Sequence, residues 1–144
     1  MGNMDTVKLL QECHAGVKMG IESIDEVLDH VCNSDLKSLL TETREHHEKL
    51  ENEIDVLLKG CSSFEKQPSL MAKGMSWMKT NVKLTMEHSD ATIAGLMTDG
   101  ANMGVKSLNQ YLNEYDSADE EAKKITGKLI KIEEKLCKEL QKYL

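Results

Sequence analysis

Residues 35–59, DLKSLLTETREHHEKLENEIDVLLK, place Leu36, Leu40, Thr43, His47, Leu50, Ile54 and Leu57 at alternating spacings of four and three. That recurrence lays seven side chains along one face of an α-helix, because 3.6 residues complete a turn. The residues between them are mostly Lys, Glu, Asp, Asn and Thr, so the opposite face suits water. A helix with a single apolar stripe has to bury it against partners, and the rest of the chain supplies them.

Residues 3–32 repeat the pattern with Val7, Leu10, His14, Val17, Ile21, Ile24, Leu28 and Val31, and residues 118–143 do so with Ala118, Ala122, Ile125, Leu129, Ile132, Leu136, Leu140 and Tyr143. Residues 90–115 offer an inner face of Ile93, Met97, Gly100, Ala101, Gly104 and Leu108, whose small members suit close helix packing. Punctuation separates the segments. Asn33 and Ser34 cap the second, Gly60 stops it, Pro68 opens a shorter helix over 69–86, and Ser89 with Asp90 restarts the chain. Ser117-x-x-Glu120 has the pattern of a capping box. Each long helix rises on the order of 40 Å. The short turns at 33–34 and 116–117 make two antiparallel hairpins, and the 69–86 helix is left to carry the chain from one end to the other. The expectation is an all-α protein: one domain over 1–144, a four-helix bundle with a helical crossover.

The 144 residues carry a formal charge of −7 that is unevenly placed, with 13 acids against 6 bases over 1–60 and 12 against 12 over 61–144. An acidic surface repels phosphates, which excludes nucleic acid and anionic membranes as partners. No apolar run approaches the roughly 20 residues needed to span a bilayer, so a cytoplasmic protein is expected. Cys13, Cys32, Cys61 and Cys137 lack C-x-x-C spacing, which argues for reduced thiols and against structural zinc. P-loops, nucleophile elbows and dinucleotide fingerprints are missing from the sequence.

Gly20-Ile21-Glu22, the charged stretch from Glu42 to Leu50, the segment from Gly74 to Leu84 around Trp77 and the Lys-rich final helix resemble a ferritin-like family of bacterial domains of unknown function. The resemblance covers nearly the whole chain. It implies the ferritin-like fold and a bacterial cytosolic setting, and it brings no activity with it.

A di-iron centre in such a bundle takes one Glu from each of two helices and Glu-x-x-His from the other two, all pointing inward. At about 100° per residue, Glu22 falls roughly 150° and Glu45 about 165° from the centres of their stripes, so both face water. No metal or cofactor is therefore expected. The remaining candidates are His47 with Glu51 one turn on, completed by His14 or Glu133, a set that would suit iron or another divalent metal. A hairpin turning at 33–34 sets residue 47 level with about residue 20 and residue 14 level with about 53, which keeps the two histidines apart. As a core residue, His47 is expected to be buried and neutral, satisfied by the Thr43 hydroxyl or a flanking carboxylate, and replaceable by Leu.

Within 69–86, Met71, Met75, Met78, Val82 and Met86 form one apolar face and Leu70, Trp77 and Leu84 a second, with Asn81 and His88 beside it. The second face predicts a homo-oligomer interface. The functional expectation is a non-catalytic, self-associating bundle. Its rivals are a divergent metal-binding or oxidase bundle and a protein-interaction module that uses this outer face.

Overall fold

Helices α1 (Met4–Leu28) and α2 (Ser34–Lys59) form one antiparallel hairpin, and α3 (Asp90–Glu114) with α4 (Glu120–Leu140) forms another, followed by a 3-10 turn at Gln141–Tyr143. The computed structural model describes residues 4–61 and 89–144. The expected 69–86 helix, with the interface residues Leu70, Trp77, Asn81, Leu84 and His88, lies outside the described residues. Among those that are described, the protein is an all-α four-helix bundle.

The stripes predict much of the core. Leu36, Leu40, Thr43, His47, Leu50 and Ile54 are all buried, as are Ala118, Ala122, Ile125, Leu129, Leu136 and Leu140, whereas His14, Ile21, Leu28, Leu57, Ile132 and Tyr143 are only half-buried and Leu58 takes the place of Leu57. Helix α1 buries more than its stripe, adding Leu9, Cys13 and Val27, because it packs against all three other helices and no narrow arc can meet them all. Asn33 caps α2 as expected, its Oδ1 accepting from the N–H groups of Asp35 and Leu36 at 2.8 and 3.1 Å. Ser89 caps α3 through its hydroxyl, which accepts from Thr92 N–H at 3.2 Å.

Two ends differ from expectation, for one reason: groups far away in sequence take over the local capping. Helix α1 stops at Leu28 instead of running to 32, and the freed N–H groups of Cys32 and Asn33 both donate to the Asp90 carboxylate at 2.9 Å. The capping box at Ser117 and Glu120 does not form. Asp119 is the N-cap of α4 and makes no side-chain cap bond; the turn is held from α1, where Asp5 accepts from Ser117 N–H at 3.1 Å and the Thr6 hydroxyl accepts from Asp119 N–H at 2.7 Å. Side chain to backbone clasps thus fasten α1 to α3 at both ends. They also set the topology: α3 starts at the end of the bundle where α2 starts, so the two run in the same direction. The chain passes from one end of the bundle to the other between residues 61 and 89.

The core is divided. One cluster gathers Leu9, Leu10, Cys13 and Val17 with Leu50, Ile54, Ile125 and Leu129, and the other gathers Ile24, Val27, Leu36 and Leu40 with Ile93, Met97, Leu136 and Leu140. Along α2 and α4 the positions between the clusters belong to Thr43, His47 and Glu133, a polar layer across the middle of the bundle.

Candidate functional site

His47 sits at the centre of the α2 stripe, which aims it across the core toward α4, and it is 1 % exposed. Its Nδ1 donates to the Thr43 carbonyl at 2.8 Å, and its Nε2 lies 2.7 Å from Glu133 Oε1. The Thr43 hydroxyl is not its partner, since that group donates to the Leu39 carbonyl at 2.8 Å. A carbonyl and a carboxylate both accept, so the ring is satisfied only when both nitrogens carry hydrogen. Burial pushes the His47 pKa down and is the largest single influence; the bond to Glu133, the charge of Glu133 and the Thr43 carbonyl together outweigh it, and the net direction is up. The partner differs from expectation: His47 is bridged to α4 through Glu133 rather than held by the Thr43 hydroxyl, and the direction of its pKa favours the protonated ring, so that the polar layer has the geometry of a buried ion pair between α2 and α4.

Glycines on the other two helices make room for this pair. A Cβ on Gly20 of α1 would lie 2.6 Å from His47 Nε2 and 2.7 Å from its Cδ2, so only glycine fits there. On α3, a Cβ on Gly104 would come to 3.8 Å from Glu133 Cγ and Oε2, an ordinary contact. The level predicted from the hairpin is met, with residue 47 opposite residue 20.

Of the four candidate metal residues, the structure joins His47 to Glu133 and separates the others. His14 lies 3.1 Å from Asp55 Oδ1, and Glu51 lies 3.9 Å from Lys18 Nζ instead of beside His47. Glu22 and Glu45 are exposed, as their angles require. Among the described residues no three His, Cys, Asp or Glu side chains gather around a common point.

Beside the ion pair lies a cavity of about 370 Å³ between α1 and α3, with α4 behind it. Its walls are mostly small or flexible: Ala15, Gly16 and Met19 from α1 face Gly100, Ala101 and Met103 from α3. The small residues of α3 were expected to draw helices together. They leave space instead, because α1 is equally small at the same level and neither helix fills the gap. His47 and Glu133 line the cavity at mid-length, and Glu12 and Tyr111 line it toward the N-terminal end of α1. Burial, and then the charge of Glu114, raises the Glu12 carboxyl above its usual range. Burial and the charges of Glu12 and Glu114 likewise raise Tyr111 and Tyr115, whose rings stack with centroids 6.2 Å apart. Neither Glu12 nor Tyr111 stood out in the sequence, since an acid and a tyrosine on helix flanks carry no periodic signal.

Compared with protein-family models, curated proteins and solved structures, the chain matches none of them.

Proposed function

We propose that this chain is a non-catalytic ferritin-like bundle that binds a small apolar molecule in the cavity between α1 and α3. The observation that carries the reading is that cavity: about 370 Å³, walled by Gly, Ala and Met, within the range of small-molecule pockets. The ferritin-like assignment draws support from the chain path, two hairpins joined by a connection that runs end to end. The non-catalytic reading draws support from His47. Both its nitrogens are engaged, so a substrate proton or a metal would first have to displace Thr43 or Glu133.

A neutral fluorescent probe, N-phenyl-1-naphthylamine, tests the binding function. Saturable binding with one site per chain is expected in the native protein. It should be lost in Gly104→Leu, whose Cβ would stand in ordinary contact with Glu133 at 3.8 Å and whose longer side chain takes up space on the cavity wall. Saturable binding that Gly104→Leu leaves unchanged, or no saturable binding at all, would overturn the proposal.

A further inference from the structure

The walls of the cavity are mostly apolar, and its acids outnumber its bases. Glu12 and Glu133 are the acids that line it, and among the described residues no Lys or Arg does. His47 is the one other group there that can carry charge, and Glu133 already neutralises it. At the Glu12 end nothing plays that part: neither Glu12 nor Glu114 has an ion-pair partner among the described residues, while Lys18 is turned to Glu51. The two carboxylates repel each other there, which is one of the two causes of the upward shift at Glu12. Tyr111, whose ring stacks on Tyr115 outside the lining, adds one aromatic ring to the cavity wall, and aromatic quadrupoles attract cations. The axial rise from Glu12 to Gly20 is about 12 Å at 1.5 Å per residue, so an acidic, aromatic end opens into an apolar trough about that long.

From this charge complementarity, and resting on the binding function proposed above, we infer that the occupant is a small organic cation: an amine whose ammonium group lies against Glu12 and Tyr111 and whose apolar body lies along the Gly, Ala and Met walls. Such a ligand relieves the Glu12–Glu114 repulsion and buries its tail where water gains little. An anion of the same shape would meet the Glu12 carboxylate, which has no ion-pair partner among the described residues. A neutral analogue would keep the apolar contacts and lose the charge term.

Three compounds of one shape, 4-phenylbutylamine, 4-phenylbutanol and 4-phenylbutyrate, make the test by titration calorimetry at low ionic strength. The amine is expected to bind about tenfold or more tightly than the alcohol, with the carboxylate weakest, and salt should narrow the gap. Replacing both acids, Glu12→Gln with Glu114→Gln, should bring the amine to the affinity of the alcohol and leave the alcohol where it was. An alcohol that binds as tightly as the amine, or an amine indifferent to the double substitution, would overturn the cation and leave the apolar cavity standing. If none of the three binds, the cavity-binding function itself falls.

Discussion

Replacing Gly20 by Ala sets two effects of opposite sign against each other. Alanine is the better helix former by about 1 kcal/mol, so on propensity alone the variant gains stability. The new methyl group would stand 2.6 Å from His47 Nε2, roughly 0.9 Å inside a normal separation of about 3.5 Å. His47 cannot retreat, because it is buried and held at both nitrogens. Overpacking costs about 1–3 kcal/mol, and a weakened charged hydrogen bond adds about 1.5 kcal/mol or more, so the net is a loss of about 2 kcal/mol. For a chain of this length that lowers the melting temperature by roughly 6–8 °C, followed by circular dichroism. Gly95→Ala and Gly127→Ala are the controls: a Cβ at either meets nothing within 4 Å, so each should raise the melting temperature by about 3 °C. In a His47→Ala background, Gly20→Ala should also become favourable. A Gly20→Ala protein that melts at or above the native temperature, or a penalty that persists without His47, refutes the steric account.

The ion pair makes two further predictions. The folded-state pKa of His47 is raised, so its contribution is complete below the unfolded value of about 6.5 and is lost as pH rises through the folded value. Urea titrations from pH 6 to 9 should therefore show the native protein losing stability relative to Glu133→Gln, in which a neutral ring suffices; a constant difference across that range refutes the pair. His47→Leu should cost about 3 kcal/mol by leaving Glu133 without its partner, while adding Glu133→Leu should recover most of the loss. Native-like stability of the single variant would contradict this.

What could be read in the sequence was whatever repeats. Four stripes at helical spacing predicted four helices and most of the buried residues of three of them, though fewer than half of those in α1, and the short expected turn placed His47 opposite residue 20. What escaped is carried by pairings between distant residues. Glu133 could be named as a candidate but not joined to His47, because its one-turn neighbour Glu51 looked equally available until Lys18 claimed it. The Ser117 capping signal was local, and it lost to Asp5 and Thr6, more than a hundred residues away. The cavity was the hardest to see. Its cause is a coincidence of small residues on two helices, and each helix taken alone reads as a surface for close packing.

The clasps at the two ends of α1 and α3 have a consequence for motion. With Asp90 holding one end and Asp5 and Thr6 the other, the helices that flank the cavity cannot part like a hinge. Widening has to come from bowing at mid-length, where Gly16 and Gly20 on one helix and Gly100 and Gly104 on the other supply no side chains to resist it. Any widening is then a transverse deflection of two beams fixed at their ends, a collective motion of the kind that takes microseconds to milliseconds. Its amplitude is greatest at the level of His47 and Glu133, which tie α2 to α4 there. A bulkier occupant would be taken up at mid-length, while the tied ends keep their spacing.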